Sequence, residues 1–357
     1  MYRKRFRHSV LLVSAALLLT AACGGGSAGT GAGSTTKVAS TSAAGQLRLG
    51  YFANVTHAGP VYGVGTGVLQ QALGTTKLST QIFNAGPAAV EALFAGAIDA
   101  AYVGPSPAIN GFVRSKGEAL RIVAGATSGG AALVVKPEIT SPAQLKGKRI
   151  ADPQTGGTQD IALRSWLAGQ GFTEQVDGSG DVTILAQENA ATLDLFKAGR
   201  IDGAWVPEPW ASRLVLDGGG KVLVDEKSLW PGGRFVTTNL VVSTSFLTEH
   251  PATVEALLRG QVEADRQINA DKAKAQAVVN AELKKLTGKS LQPAVIARAF
   301  SQIEITEDPV ASSLKTAAEH AFASGLTKEA DLNGIYDLTL LRKVLGRTVD
   351  DAGLGRS

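Results

Sequence analysis

The chain has 357 residues, of which 35 are Lys or Arg and 31 are Asp or Glu, so its formal charge is +4 with neutral histidines. Arg3, Lys4, Arg5 and Arg7 account for this excess, because residues 23–357 contain 31 basic and 31 acidic side chains. Because basic and acidic side chains are equal in number in residues 23–357, that part of the chain has no net positive charge for binding phosphates, and we expect no nucleic-acid partner.

The first 22 residues have the pattern of a secretory signal. A basic segment at 2–7 precedes an apolar segment at 10–19, which is too short to span a bilayer. Small residues at 20–22 then precede Cys23, the only cysteine in the chain. This pattern resembles a bacterial lipobox, although Thr20 stands where Leu is usual. We therefore predict cleavage before Cys23 and lipidation of that residue, which anchors the chain outside the cytoplasm.

Residues 24–45 consist of Gly, Ala, Ser and Thr with one Val and one Lys. Such a segment has no apolar period and nothing to bury, so it predicts a flexible tether that carries the lipidated end at residue 23. The folded body is expected to start near Gln46, and its length suits two domains. No later apolar run approaches membrane-spanning length.

A stretch at 88–103 occurs again at 191–206, and the two copies align without a gap. Each copy predicts a helix that ends at a glycine, followed by Ile-Asp and a short apolar strand. Proline-containing turns at 104–107 and 207–210 follow, because proline cannot donate to a strand ladder. Two copies predict two similar lobes that offer strand-end turns to one cleft. The alternative is two unrelated βαβ units.

Strand and helix patterns alternate along the rest of the body. Strands are predicted at 47–52, 80–83, 122–126, 133–136, near 150, at 221–224 and at 240–243. One helix is expected to run to about residue 73 and another from about 160 to 169, and the C-terminal third reads as helical. Residues 127–130 read as a loop between two strands. The alternation predicts an α/β architecture with mainly parallel sheets.

Several motifs now resemble one family, the nitrate/sulfonate/taurine group of ABC-importer substrate-binding proteins. They are Ser-Pro-Ala-Gln-Leu-Lys-Gly-Lys-Arg-Ile-Ala at 141–151, the two Gly-x-Ile-Asp-x-Ala segments, Pro-Glu-Pro-Trp at 207–210, His-Pro-Ala-Thr-Val-Glu-Ala-Leu at 250–257 and Ile-Thr-Glu-Asp-Pro at 305–309. The resemblance implies a two-lobed periplasmic-binding fold with two crossover strands. Lobe one would comprise 46–129 plus 240–357 and lobe two 130–239, with an oxyanion held between them.

The strand-end loops favour an anion held by neutral donors. Segments 53–60, 84–87, 104–107, 127–130, 153–159, 187–190 and 207–210 contain no Lys or Arg. Several precede helices, whose free N–H groups and partial positive charge suit an oxyanion. The candidate ligand-binding residues are Asn54, Thr56, His57, Asn84, Gly86, Pro105, Ser106, Thr127, Ser128, Gly129, Thr155, Gly157, Thr158, Gln159, Asn189, Glu208 and Trp210. The alternative for Thr158 and Asn189 is a capping role alone.

Five aromatic residues lie in or beside these loops and suit an organic tail on the ligand: Tyr51, Phe52, Tyr102, Trp205 and Trp210. We expect Trp210 to form part of the wall, whereas Tyr102 and Trp205, at repeat strand positions, are expected in the core. Glu208 is the acid within the loops. It suits the amine of taurine, although a solvated turn carboxylate is the favoured alternative.

Enzymes on the same fold that use cysteine chemistry are disfavoured, because the sole cysteine lies in the signal. The four histidines are far apart in sequence, so we predict no metal centre, cofactor or catalytic residue. The sequence therefore predicts a monomeric, lipid-anchored receptor that delivers a small organic oxyanion to an ABC permease in the cytoplasmic membrane. A sulfonate is favoured, with taurine or nitrate next. A receptor for a vitamin precursor and an enzyme on this fold remain alternatives.

Overall fold

The structure is a computed structural model that describes residues 43–355. The predicted signal, Cys23 and most of the predicted tether lie outside the described residues. The strands are β1 Gln46–Phe52, β2 Lys77–Phe83, β3 Ala100–Val103, β4 Leu120–Gly129, β5 Ala131–Val135, β6 Arg149–Asp152, β7 Thr183–Ala186, β8 Gly203–Pro207, β9 Lys221–Asp225, β10 Val236–Ser243 and β11 Ile303–Ile305. The helices are α1 Ala58–Gly65, α2 Val68–Leu73, α3 Gly86–Phe94, α4 Pro105–Arg114, α5 Thr158–Gly169, α6 Asn189–Lys197, α7 Trp210–Leu216, α8 Thr244–Glu249, α9 Pro251–Ala270, α10 Lys272–Thr287, α11 Pro293–Ser301, α12 Ala311–Ala323 and α13 Thr339–Leu345.

These strands form two sheets. The first has the order β11-β4-β10-β3-β1-β2, and the second has the order β7-β6-β8-β5-β9. Strands β2, β1 and β3 run parallel, as do β7, β6 and β8, whereas β10 is antiparallel to both β3 and β4. Each sheet is thus a parallel three-stranded unit with antiparallel strands added, which confirms the predicted two-lobed α/β fold. The expectation of mainly parallel sheets is wrong, because five of the nine strand pairings between residues 43 and 355 are antiparallel.

The chain crosses between the sheets twice, once between β4 and β5 and once between β9 and β10. At the first crossing Gly129 and Gly130 have φ of 77° and 79°, a left-handed conformation that favours glycine. A Cβ on Gly130 would also lie 2.4 Å from Cγ2 of Ile303. The first crossover therefore depends on glycine for both its turn and its close packing.

The repeated unit is present in both sheets. Gly96 and Gly199 follow the ends of helices α3 and α6, with φ of 65° and 69°, and precede strands β3 and β8. Asp99 accepts a hydrogen bond from the backbone N–H of Arg48, 2.8 Å away, and Asp202 accepts the equivalent bond from Arg149. In both copies the Asp thus binds the backbone of the neighbouring parallel strand in the same way. The local structure therefore disagrees with the alternative of two unrelated units.

Three local predictions differ from the structure. The helix expected to run to residue 73 is divided into α1 and α2 at Gly67, whose φ is 79°. Residues 127–129 of the expected loop are instead the end of β4, because β10 and β11 pair with them on the two sides of the strand. Ala44, expected in the tether, is buried and its N–H donates to Oγ1 of Thr253.

The remaining helices, α8 to α13, cover the first sheet and form the predicted helical third. Long helix α9 presents Val254, Leu257 and Leu258 to the main hydrophobic core. Between residues 43 and 355 we find no helix with the length and apolarity that a membrane crossing requires.

Candidate functional site

A cavity of about 40 Å³ lies between the two sheets, at the ends of their parallel strands. Because one water needs about 10–15 Å³ of such space, this cavity has room for a small group such as an anionic head group. Its lining contains no Lys, Arg, Asp or Glu in the part of the chain that the structure describes. The residues that line it are Phe52, Asn54, Thr56, His57, Asn84, Ala85, Gly86, Gly104, Pro107, Pro153, Gln154, Gly157, Thr158, Gln159, Asn189, Pro207 and Thr237.

Four helix starts line this cavity, those of α3, α4, α5 and α6. Their N-cap residues are Ala85, Gly104, Gly157 and Glu188, and within residues 43–355 none makes a side-chain capping bond. Except at Pro87, Pro105 and Pro107, which have no N–H, the first turns of these helices therefore retain backbone N–H groups without intrahelical partners, together with the positive ends of the helix dipoles. The arrangement can bind an anion without any formal positive charge.

Two polar atoms in the lining lack partners. Oγ1 of Thr158 and Oδ1 of Asn189 are buried and form no hydrogen bond with any residue that the structure describes. Buried polar atoms are normally paired, because leaving one unpaired costs about 1–3 kcal/mol. Neither atom makes a capping bond, so a capping role alone does not account for them. An oxyanion in the cavity would accept from the Thr158 hydroxyl, whereas Oδ1 of Asn189 can only accept and would need a donor on the ligand.

His57 is neutral in this site. Burial lowers the pKa of its imidazole to about 3. Nε2 lies 3.3 Å from the carbonyl oxygen of Tyr102, which can only accept, so Nε2 carries the proton. Nδ1 then accepts from Oγ1 of Thr56, also at 3.3 Å, and the ring stacks on Phe52. His57 thus positions the first loop instead of supplying positive charge.

The sides of the cavity are tied together by hydrogen bonds between the two sheets' loops. Nε1 of Trp210 donates to Oδ1 of Asn54 over 2.9 Å, which leaves the Asn54 amide nitrogen as the group that can face a ligand. Nδ2 of Asn84 donates to Oε1 of Glu188, also over 2.9 Å. The cavity is therefore in a closed arrangement.

Glu208 lies behind the cavity, with 1% of its surface exposed. Its Oε2 accepts from the N–H of Ser212 in α7, and its Oε1 accepts from Arg298 at 3.2 Å. Burial raises the pKa of Glu208, although the bonds from Ser212 and the charge of Arg298 oppose this rise. The prediction of a solvated turn carboxylate is wrong, because α11 covers the turn and brings Arg298 to it.

A second buried charged group supports the start of α5. Oδ2 of Asp160 accepts from the N–H of Gly156, and its Oδ1 accepts from Nε of Arg164 at 2.6 Å. Asp152, at the end of β6, is also buried. Burial, together with the charge of Asp160, raises the pKa of Asp152 to about 8. The loop at 153–157 is thus held from behind by one carboxylate, one guanidinium and one carboxyl that retains its proton at neutral pH.

The structure brings nine of the predicted ligand-binding residues together at the cavity. These are Asn54, Thr56, His57, Asn84, Gly86, Gly157, Thr158, Gln159 and Asn189. Their binding role remains a prediction.

The other eight lie elsewhere. Pro105 and Ser106 line a neighbouring cavity, Thr155 is exposed and Glu208 lies behind the site. Trp210, expected in the wall, instead orients Asn54. Thr127, Ser128 and Gly129 are buried in β4, where Oγ1 of Thr127 supports the carbonyl of Thr56 from behind.

Phe52, one of the aromatic residues considered for the wall, lines the cavity, whereas Gly104, Gln154 and Thr237 line it without having been predicted. Gly104 and Gln154 lie in loops that the sequence identified, so their position was the available signal. Thr237 lies in β10, and no local pattern marks that strand as returning to the cavity. Tyr102 and Trp205 are fully buried, which agrees with the core positions expected for them.

Comparison with known proteins adds to this geometry. Residues 40–282 match the NMT1-like family. The chain belongs to that family. Its matches include the taurine-binding periplasmic protein of Escherichia coli, which is 30% identical over 52% of this chain and 55% of the relative. They also include the putative aliphatic sulfonates-binding protein of the same organism, 29% identical over 65% of this chain and 70% of the relative. The chain thus spans about half the length of the taurine-binding relative.

Solved structures show the same fold. The alkanesulfonate-binding protein SsuA from Xanthomonas axonopodis pv. citri, bound to MOPS, matches with a TM-score of 0.66 and 26% identity, over 81% of this chain and 96% of that one. The periplasmic nitrate-binding protein NrtA from Synechocystis matches with a TM-score of 0.71 and 16% identity, over 85% and 88%. The predicted family resemblance and the periplasmic-binding fold are confirmed.

Proposed function

We propose that this chain is the extracytoplasmic substrate-binding component of an ABC importer, with lobes that close on a small organic oxyanion. The observation that carries the proposal is the convergence of four uncapped helix starts on one cavity whose described lining has no charged side chain. The positive ends of helix dipoles suit a permanently ionised group such as a sulfonate. The lobes would be 46–129 plus 240–357 and 130–239.

The lining favours an organic anion over a bare one. Phe52, Pro107, Pro153 and Pro207 give the cavity an apolar wall beside the helix starts. Small-molecule sites combine such walls with a few polar groups that fix orientation. Relatives named for taurine and for aliphatic sulfonates support the same class of ligand. We favour a sulfonate, with taurine or nitrate next, delivered to a permease in the cytoplasmic membrane.

A thermal-shift panel followed by calorimetry tests this proposal. The panel contains methanesulfonate, taurine, nitrate, sulfate and thiamine- and riboflavin-type precursors. A ligand present at 100 times its dissociation constant should add about 2.7 kcal/mol to the free energy of unfolding. We expect the sulfonates to shift the melting temperature most. A shift from the vitamin precursors alone would contradict an oxyanion site, and turnover of any compound would contradict a receptor.

The predicted anchor has a separate test. Cys23→Ser should leave the folded body intact and release it from the membrane fraction of cells. A variant that stays bound to the membrane as tightly as wild type would contradict lipidation at residue 23, without affecting the ligand proposal.

A further inference from the structure

Two carboxyl groups and one guanidinium lie together beneath the loop that leads into α5. Asp152 ends β6, and Asp160 and Arg164 lie one turn apart in α5. We call these three residues the acid cluster. Nε of Arg164 donates to Oδ1 of Asp160 over 2.6 Å, and its other two nitrogens donate to the backbone carbonyls of Gln175 and Val176. The guanidinium thus compensates one of the two carboxyl groups directly.

Asp152 is the member of the cluster without a partner. It is 1% exposed, and neither of its oxygens has a hydrogen-bond partner within residues 43–355. A buried carboxylate without donors is unfavourable, whereas a protonated carboxyl group can donate to a neighbouring carboxylate such as that of Asp160. Burial, and next the charge of Asp160, raise the pKa of Asp152 to about 8, although the charge of Arg164 opposes this rise. Geometry and charge therefore both favour a proton on Asp152 at neutral pH.

The acid cluster adjoins the proposed anion site. Residues 153–154 follow Asp152 directly and residues 157–158 lie at the start of α5, and both pairs line the cavity between the sheets. The N–H of Gly156, in the same loop, donates to Oδ2 of Asp160 over 2.7 Å. One stretch of backbone therefore lines the cavity and contacts the cluster, so a change of charge in the cluster acts on an anion in the cavity.

Few other charged groups face Asp152. Strands β7 and β8, which flank β6, contain none. Glu188 precedes α6 and is exposed. Burial raises the pKa of half-buried Glu174 to about 7; the charge of Arg164 opposes this rise, and the charge of Asp181 adds to it. Because Glu174 ionises first, the change of charge near pH 8 belongs to Asp152.

The proton on Asp152 determines the net charge behind the start of α5. With the proton present, Asp160 and Arg164 balance each other, and the helix start retains its attraction for an anion. Without it, the acid cluster has one net negative charge. At ~8 Å and an effective dielectric of ~30, one such charge weakens the binding of a monoanion about tenfold.

We propose that the site binds a proton together with its anion and that Asp152 holds this proton. The inference rests on the proposed function, since the oxyanion is the ligand of the cavity. In alkaline solution, where Asp152 is ionised, binding takes up H⁺ from the solvent, and an O–H bond forms on the carboxylate as the anion enters. The receptor would thus hold its ligand most tightly at neutral or acidic pH and release it more readily at alkaline pH.

Titration calorimetry with methanesulfonate tests this inference, because that anion stays ionised at every pH used. The buffers are amines, since sulfonate buffers would compete for the site. The affinity of wild type should stay constant from pH 6 to pH 7 and fall about fivefold by pH 9. Near pH 8.5, two amine buffers with different ionisation enthalpies should reveal the uptake of about half a proton per anion bound.

Three variants locate the proton. Asp152→Asn cannot ionise, so its affinity should be the same at pH 6 and pH 9, without proton uptake. Asp265→Asn makes the same change at another buried carboxyl group, in α9, which also has an oxygen without a partner in the described chain, and it should keep the wild-type profile. Glu174→Gln removes the other titrating acid beside Arg164 and should keep the fall above pH 8. Circular dichroism confirms that each variant is folded.

The outcomes are distinct. If wild type binds methanesulfonate with one affinity from pH 6 to pH 9, or takes up no proton, the inference is overturned while the proposed function stands. A fall with pH that persists in folded Asp152→Asn, or that disappears in Glu174→Gln, overturns it as well. Should Asp152→Asn fail to fold, Asp152→Ser, which is also uncharged, takes its place. If methanesulfonate does not bind at pH 6, where the proton is present, the proposed function fails, and the inference fails with it.

Discussion

The two copies of the repeated unit have the same scaffold but different exits, by which we mean the turn and helix that follow each copy. In both, the start of the repeat helix lines the cavity, and an Asp holds the adjacent strand. After the first copy, Gly104 leads into α4 without a side-chain cap. After the second copy, Glu208 supplies its own carboxylate to the N–H of Ser212 in α7. The first exit is open to an external anion, whereas the second is filled by an internal one.

This comparison shows how a duplicated unit can build one site. The repeat determines where the helices start and the strands end. The residues of the exit turn determine whether the N–H groups of the following helix remain free to bind an anion. Because an internal carboxylate and a ligand compete for the same N–H groups and dipole, a helix start satisfied from within has little left for an anion. The two exits thus differ in whether an internal carboxylate caps the helix that follows the repeat.

The largest expected effect comes from filling an open start with an acid. Gly157→Asp at the start of α5 places a negative charge where the anion is proposed to sit. At ~4 Å and an effective dielectric near 20, the repulsion is about 4 kcal/mol at most, which weakens binding by up to about a thousandfold. Titration calorimetry with the best ligand of the panel measures the change.

Gly157→Asn is the matched control. A Cβ at this position lies 2.8 Å from the carbonyl oxygen of Gln154, so both variants carry the same backbone adjustment. The difference between Asp and Asn therefore isolates the charge. Equal affinities for the two variants would show that no anion binds at this helix start.

The next effect is on stability and concerns the filled start. Glu208→Ala leaves Arg298 and the N–H of Ser212 without their carboxylate, and breaking such a buried pair should cost about 3 kcal/mol. Urea unfolding measures the loss.

Glu208→Gln retains one acceptor oxygen, for the N–H of Ser212, but places an NH2 donor beside Arg298 and loses the charge, so its cost should be smaller than that of Glu208→Ala. A Glu208→Ala variant as stable as wild type would mean that α7 does not depend on an internal anion. The difference between the two exits would then contribute nothing to the free energy of unfolding.

The third prediction concerns the open start of α4. Gly104→Ala introduces a Cβ 2.0 Å from Oγ1 of Thr158, although the backbone of Gly104 suits any residue. Overpacking of this kind costs about 1–3 kcal/mol, so closure and affinity should weaken by up to about a hundredfold. Adding Thr158→Ala removes the hydroxyl and should restore part of the loss. If the double variant binds no better than the sum of the single effects, the contact does not limit closure.

Rules that act over a few residues determine how much of the fold and of the candidate site the sequence could predict. A glycine after a helix, Ile-Asp and a short apolar strand act over a few residues, so both copies and most strands follow from the sequence alone. Arg298 meets Glu208 across 90 positions, and no local pattern reports that pairing. Thr127 and Ser128 resemble loop residues, yet they lie in a strand because two distant strands pair with it. Contacts with residues distant in sequence therefore account for most of the predicted site residues that do not line the cavity.

The last predicted effect is a pH dependence and concerns the acids behind the start of α5. The pKa of Asp152 is raised to about 8 by burial and by the charge of Asp160, compared with about 4 in an unfolded chain. The folded state then binds more protons than the unfolded state between these values, so this group's contribution to stability falls as pH rises from about 4 to about 8. Asp152→Asn mimics the protonated form and removes that dependence.

The melting temperature of Asp152→Asn, measured relative to wild type, should therefore increase from pH 5 to pH 8. Asp194→Asn, an exposed substitution in α6, is the control and should show no such trend. A constant difference between Asp152→Asn and wild type would mean that Asp152 is ionised throughout. In that case the start of α5 would have two carboxylates behind it, balanced only by Arg164, and would resemble the filled exit of the second copy more than the open exit of the first.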